Sequence, residues 1–402
     1  MRLFTEYPPL SLYVHFPWCV QKCPYCDFNS HTAPAIIPER EYIEALTTDL
    51  EQHAPDIWGR AVQSVFFGGG TPSLLSAEGF DVLLGKIRAL VKLEPDAEIT
   101  VEANPGTVEQ SRFQAYRDAG ANRLSIGVQS FNDKQLTALG RIHGRQEAIQ
   151  ACHSAAAAGF DHFNIDLMHG LPDQSAEAAL SDVETALSLS PTHVSYYQLT
   201  IEPNTLFAAK PPVLPDEELL WTIQQQGKQA LTDAGFRQYE VSAYAKDRRQ
   251  CRHNLNYWLF GDYLGIGAGA HSKLSFPAHN KITRISKHKH PKTYLQSAAT
   301  AARIQEQINV SETDSRFEFL MNALRLNSGF TPSEFLQRTG EPVSVVMDKL
   351  ALAEQRGLIK RTIDKITPTE LGLRYLDSLL NLFLDPSNTD TRKTIPITPA
   401  GN

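Results

Sequence analysis

Cys19, Cys23 and Cys26 fall within eight residues at a C-x3-C-x2-C spacing, in a chain with five cysteines. Three thiolates in one loop are a metal-binding arrangement. Each can hold one iron of a cubane [4Fe–4S] cluster, which leaves the fourth iron open to a small ligand. Zn2+ takes the same ligands, and three free thiols are the remaining reading. An odd cysteine total is a poor disulfide framework and points to a reducing compartment. Cys152 lies among alanines and reads as a small packed residue. A second feature is Gly68-Gly69-Gly70-Thr71-Pro72. Its glycines would let backbone approach a ligand that side chains would block, although such a run also makes an ordinary turn.

The elements that position these residues alternate. Residues 11–16, 62–67, 98–103, 123–128, 162–168 and 193–199 read as strands. Helical spacing occupies residues 39–53, 76–92, 108–119, 145–158, 176–187 and 216–234. Regular βα alternation implies parallel strands with helical crossovers, either an open doubly wound sheet or a barrel. In a barrel, function sits in the loops after the strands' C-terminal ends. Those loops hold the cysteines, the glycine run, Glu102 and Gln129. Six such units, rather than eight, predict an α/β partial (β/α)6 TIM-like barrel. From about residue 238 the pattern changes. Residues 281–292 are basic and read as exposed. Three helical stretches (317–326, 332–339 and 344–355), a ribbon (359–366) and a last helix (368–380) resemble a winged-helix module of α+β type. The expected divisions are a barrel over 1–237, an extension over 238–300, a winged-helix-like domain over 301–384 and a disordered tail over 385–402.

Composition sets outer limits. Of 402 residues, 42% are hydrophobic and 21% charged, which is ordinary for a folded protein. The net charge of −7 argues against coating nucleic acid or an anionic membrane. In the module's helix over 344–355, Lys349 is outnumbered by Asp348 and Glu354, which counts against DNA binding. No apolar stretch approaches the roughly 20 residues needed to span a bilayer. The first ten residues lack the apolar core of a signal peptide. The expected location is the cytoplasm.

Cys19-x3-Cys23-Pro24-Tyr25-Cys26, followed by the glycine run after the second strand, resembles the signature of the radical S-adenosylmethionine (SAM) superfamily. The resemblance implies that SAM chelates the open iron and that one electron from the cluster can cleave it to methionine and a 5′-deoxyadenosyl radical. From Leu12 to about Leu380 the chain is most similar to the coproporphyrinogen III oxidase-like subfamily. Carried over by position, the implied SAM contacts are Tyr13, Tyr25, Gly69, Gly70, Thr71, Glu102, Gln129, Arg141 and Asp166. The types fit: carboxylates for ribose hydroxyls or an ammonium, and Arg141 for the SAM carboxylate.

The oxidase itself continues its motif with a further cysteine, where this chain has Phe28, and it uses a longer N-terminal arm. Both departures resemble instead the subfamily's HemW-type branch of haem chaperones. His253-Asn254-Leu255-Asn256-Tyr257-Trp258 matches that branch's H-N-x-x-Y-W signature. The resemblance implies haem as cargo held by His253, Asn254, Tyr257 and Trp258, by an imidazole and flat rings. Cys251 and His271 are alternative ligands, and Arg248, Arg249 and Arg252 could pair with propionates. The expected partner is a haem-accepting protein, such as a membrane-bound respiratory enzyme, and a homodimer is possible. The alternatives are oxidative decarboxylation of coproporphyrinogen III and radical chemistry on another substrate.

Overall fold

The computed structural model describes residues 2–4, 6–106 and 111–384. The expected tail over 385–402, and the first residues of the helix expected over 108–119, lie outside the described residues; that helix is seen as Phe113–Ala119.

Six strands run in parallel: β1 (Leu10–Phe16), β2 (Ala61–Gly69), β3 (Lys92–Ala103), β4 (Arg123–Gln129), β5 (Phe163–His169) and β6 (His193–Gln198). The sheet continues past both ends. Beyond β6 come β7 (Arg237–Gln238) and β8 (Ala243–Ala245), with β8 antiparallel to β6. Beside β1 come β9 (Asp262–Ile266), β10 (His271–Phe276), β11 (Lys281–Lys287) and β12 (Ile304–Asn309). β9 pairs parallel to β1, a seventh parallel strand that Gly265 disguises in the sequence. The twelve-stranded order β12-β11-β10-β9-β1-β2-β3-β4-β5-β6-β8-β7 does not close on itself. The expected α/β partial barrel is therefore what forms.

Alternation decides which residues face which side. Leu10, Leu12, Val14 and Phe16 of β1 join Val65, Phe67, Ile99, Val101, Leu124 and Ile126 in the main hydrophobic core beneath the crossover helices. Ser11, Tyr13 and His15 therefore face the concave side, with Ser64 and Phe66, Glu98 and Glu102, Arg123 and Ser125, Asn164 and Asp166, and His193. This inner face is polar and buried. A partial barrel whose lumen is lined with hydrogen-bonding groups needs either a ligand or a plug to satisfy them.

Of residues 281–292, expected as an exposed basic stretch, Lys289, His290 and Lys292 are exposed, but the strand before them is largely covered. Lys287 ends a strand and is fully buried. Its ammonium donates to Asp49 and lies 2.7 Å from His53 Nε2. Arg303 Nε also reaches Asp49 Oδ1 at 3.0 Å, while Tyr294 donates to Oδ2 at 2.8 Å. Buried charge of both signs is thus fully bonded, the condition under which it is tolerated.

A second core gathers Phe260, Val310, Phe319, Leu320, Phe330, Phe335, Leu350 and Ile359. It unites the helices Glu312–Ala323, Pro332–Thr339 and Met347–Gln355 with the ribbon β13 (Ile359–Arg361) and β14 (Ile366–Pro368). Helix, helix, helix, ribbon and closing helices are the winged-helix-like pattern. Pro332–Thr339 starts on a Thr331–Glu334 capping box and stops at Gly340 with φ of 76°.

Candidate cluster, SAM and haem-motif site

The cysteine loop leaves β1 and is stitched to three strand ends. Trp18 and Cys19 pair in parallel with His31 and Thr32. Gln21 Nε2 donates to Gly140 O at 3.2 Å, and Phe207 N donates to Pro24 O at 3.0 Å. Gly70 N donates to Phe16 O at 2.7 Å, and a Cβ on Gly70 would stand 2.6 Å from Trp18 O. Glycine at 70 is thus required by the backbone of the loop itself. At Gly69, φ is 115° and a Cβ would meet the His15 ring at 2.6 Å.

All three thiols are half-buried and free. Burial pushes Cys19 up to about 11 and raises Cys26. Arg141 Nη1 approaches Cys23 Sγ at 3.6 Å, a cation beside a sulfur that must be a thiolate to bind iron. Among the described residues, no three His, Cys, Asp or Glu side chains converge closely enough to hold one metal ion. A cubane spreads three thiolates over three irons, so this loop fits a [4Fe–4S] cluster better than a single Zn2+.

Beside Cys23 opens a cavity of about 310 Å³, bounded by Val20, Thr71, Asn104, Arg141 and Ile142. Arg141 Nη2 donates to Asn104 Oδ1 at 2.6 Å and to Gly127 O at 2.8 Å, which aims its guanidinium along the strand ends. Gly69 N donates to Glu102 Oε2 at 3.2 Å. Burial, then Asp166, pushes Glu102 up to about 8. Asp166 itself is raised by burial against the pull of Ser195, Asn164, Arg123 and Ser125. Two carboxyls that resist ionisation at one mouth suit hydrogen bonding to hydroxyls or to an ammonium. Gln129 has φ of 70°, rare for a residue with a side chain, and accepts from Tyr197 OH at 2.6 Å. Tyr25 packs near Phe207 at 6.4 Å. Sequence reasoning missed Asn104 and Tyr197. Asn104 also donates to Thr71 Oγ1 at 2.9 Å. The signal for it was present: Asn104 stands two residues beyond Glu102 and therefore on the same face.

The segment carrying His253 closes the lumen from below. Arg252–Trp258 is a short helix whose first backbone amides are held by Glu98, at 3.0 Å from both Arg252 N and His253 N. His253 is fully buried, its ring stacked on Phe66 at 4.9 Å and 6.4 Å from Tyr13. Ser64 Oγ donates to Ser11 Oγ at 2.7 Å and lies 2.9 Å from His253 Nδ1. In the tautomer in which Ser64 donates to Ser11, His253 donates from Nδ1 and its Nε2 keeps a lone pair. Nε2 has no partner. Burial, with Arg123, pushes this imidazole down to about 3, so it is neutral. Trp258 lies under Arg325, whose guanidinium carbon is 4.3 Å from the ring centroid, and Tyr257 packs on Tyr263 at 4.4 Å. Asn254 is 7% exposed.

Of the cations expected for propionates, Arg248 is exposed, and the other two are engaged elsewhere. Arg252 pairs with Glu94 at 3.0 Å and Asp96 at 3.1 Å. Arg249 lies 2.9 Å from His162 Nδ1. Of the alternative ligands, Cys251 is buried and pushed up to about 12, and His271 is half-buried on β10.

The family model for the radical SAM superfamily matches residues 13–183, and that for the HemN C-terminal domain matches residues 310–375. Among solved structures, coproporphyrinogen III oxidase (HemN) from Escherichia coli has a TM-score of 0.78 at 24% identity, covering 94% of this chain and 90% of that one. That likeness shows the fold. The heme chaperone HemW of Escherichia coli K12 is 52% identical over 380 residues, 94% of this chain and 99% of that protein. HemW of Haemophilus influenzae is also 52% identical, covering 94% and 98%. The HemW of a Synechocystis strain is 36% identical, covering 82% and 81%. With 52% identity over 94% of its length to two of these relatives, the chain belongs to the HemW family of the radical SAM superfamily.

Proposed function

We propose that the protein is a haem chaperone that holds haem at the His253–Trp258 motif and carries a [4Fe–4S] cluster with SAM at the opposite mouth of the same lumen. One structural observation carries the haem assignment: a neutral imidazole with an unpaired Nε2, oriented by Ser64 and flanked by flat rings. Chelated SAM and its cluster supply one-electron chemistry when bound. Cys19, Cys23 and Cys26 hold the cluster. Gly69 and Gly70 bring backbone close to the SAM amino group, and Arg141 pairs with its carboxylate. Tyr13, Tyr25, Thr71, Glu102, Gln129 and Asp166 line the rest of that pocket.

No helix among the described residues is long and apolar enough to cross a membrane. The proposed setting is the cytoplasm, with transfer to a haem-accepting partner such as a respiratory enzyme, and a homodimer as the proposed assembly. The second reading is coproporphyrinogen III decarboxylation, favoured by the shared fold. Phe28, at the position where the oxidase has its extra cysteine, is half-buried and supplies no thiol. One anaerobic experiment separates the two. Reconstituted protein receives reductant, SAM and coproporphyrinogen III, with protoporphyrinogen and 5′-deoxyadenosine quantified, beside a haem titration. Stoichiometric haem binding without protoporphyrinogen supports the chaperone. Multiple turnovers to protoporphyrinogen overturn it.

A further inference from the structure

Residues 263–305 contain no Asp or Glu, although the chain's net charge is −7. The largely covered cations of this stretch are answered by carboxylates from elsewhere: Lys273 by Asp262, Arg284 by Glu318, and Lys287 and Arg303 by Asp49. Lys289 and Lys292 are not answered. Both are exposed, as is His290 between them, and the lysines that form ion pairs among the described residues are Lys228, Lys273 and Lys287. This surplus charge is fastened to the cysteine loop. Asn29 Nδ2 donates to Lys289 O at 2.9 Å, and His31 Nε2 lies 3.2 Å from the same oxygen. The His31 and His290 rings meet edge to face at 5.4 Å. The strand holding His31 and Thr32 pairs with Trp18 and Cys19. Exposed Lys22, next to Cys23, donates to Phe28 O at 3.3 Å and Ser30 O at 3.4 Å, which keeps its ammonium on the same part of the loop. After burial, the charges that lower the His31 pKa are those of His290 and Lys22. The loop's own carboxylate, Asp27, interacts with Lys22 and Glu202 and leaves Lys289 and Lys292 unbalanced.

An unbalanced positive patch on an acidic protein does nothing for folding, but it speeds encounter with a negatively charged partner. Its place in the fold says which partner. The patch is one hydrogen bond from the loop that carries the three thiols. None of its residues borders the cavity beside Cys23, so a protein seated on it would leave that cavity open. Resting on the [4Fe–4S] reading above, we infer that Lys22, His31, Lys289, His290 and Lys292 form the docking surface for an acidic one-electron carrier protein with a flavin or iron–sulfur centre. In the step this surface serves, the reduced carrier loses one electron and the oxidised cluster, [4Fe–4S]2+, gains it to become [4Fe–4S]+. No bond forms or breaks. The patch is small and the rest of the chain is acidic, so it suits a compact carrier rather than a nucleic-acid backbone or a lipid sheet, whose extended charge would meet the acidic remainder.

The test follows bleaching of the cluster band of the reconstituted full chain in stopped flow. Two reductants are used: reduced flavodoxin, an acidic flavin protein, and the methyl viologen radical, a small cation that needs no docking. The double variant Lys289→Glu, Lys292→Glu changes two exposed side chains outside the cluster and SAM pockets. At low salt it should slow reduction by flavodoxin about tenfold or more and leave reduction by viologen unchanged or faster. In the parent, the flavodoxin rate should fall steeply as salt rises from about 20 to about 300 mM, because screening removes the attraction. A parent rate indifferent to salt overturns the inference, and that arm needs no variant to fold. Equal flavodoxin rates in parent and variant overturn it, and so do equal losses with both reductants. Phosphatidylglycerol vesicles that bind the parent and not the variant, with flavodoxin rates equal, overturn it in favour of a membrane surface. If reconstitution yields no four-iron cluster, the reading beneath the inference fails and takes the inference with it. If the cluster forms and flavodoxin reduces both proteins alike, only the inference fails.

Discussion

Acid should open the helix that carries His253. The imidazole is faced by Ser64, Phe66, Tyr13 and Tyr257, its backbone amide is held by Glu98, and Arg123 adds a positive field. Burial first, and Arg123 second, press its pKa down to about 3. A freed imidazole returns to about 6.5. A depressed pKa means that the closed form keeps its full advantage above about 6.5 and loses it as pH falls toward 3. Between pH 7.5 and 5.5 the open form gains protons that the closed form cannot take, so the opening constant should rise about tenfold, ~1.4 kcal/mol. His193, pushed down by the same two causes and bonded to Tyr239 at 2.8 Å, adds a comparable factor if opening frees it as well. The assay is amide exchange of residues 252–258 on the full chain, corrected for intrinsic rates, in the parent and in His253→Gln. The variant should lose the His253 factor and retain only what His193 contributes. An opening constant that is flat across this range in the parent would refute the reasoning, and so would an identical rise in both proteins.

Three further outcomes follow from the geometry. Anaerobically reconstituted protein should carry about four iron and four sulfide per chain; replacing Cys19, Cys23 and Cys26 by Ala should abolish this, and a zinc-only product would contradict it. Lys287→Met leaves Asp49 fully buried with one cation fewer, and removing one partner of such a pair costs about 3–5 kcal/mol, readable as a lower Tm. Gly70→Ala drives a Cβ to 2.6 Å from Trp18 O, so the cysteine loop must shift; SAM binding measured by calorimetry should fall sharply, and parent-like affinity would show that Gly70 is not closely packed.

What was legible in the sequence was whatever depends on local pattern. The six βα units and the loop holding the cysteines could be placed because alternation fixes where strands end, whereas Glu102, Gln129, Arg141 and Asp166 were named from the family resemblance, and Arg141 stands beyond a short helix, Asp133–Ala138, rather than at a strand end. What was not legible depends on long-range partners. Lys287 reads as a surface cation until Asp49, far away in sequence, is seen to bury it. β9 is not among the strands expected from the sequence, and it is recognised only when it pairs with β1. The distance in sequence between the cysteine loop and His253 suggests two independent sites. In the structure Tyr13 links them: its ring is 6.4 Å from that of His253, and it is bonded at 3.1 Å to His15, whose ring lies against Gly69 of the glycine run. Glu98, which holds the motif helix by its amides, carries no signal in the sequence, because a lone carboxylate in a strand has many uses.

The most direct test of the account is a haem titration of the parent and of His253→Ala, followed by the Soret band. The account predicts stoichiometric binding to the parent with a band displaced from free haem. In the variant, affinity should fall tenfold or more, as expected when an axial bond worth more than about 1.4 kcal/mol is lost, and the band should move. Identical bands and affinities in the two proteins would show that the helix at the base of the lumen is a structural plug, and that haem is held somewhere else.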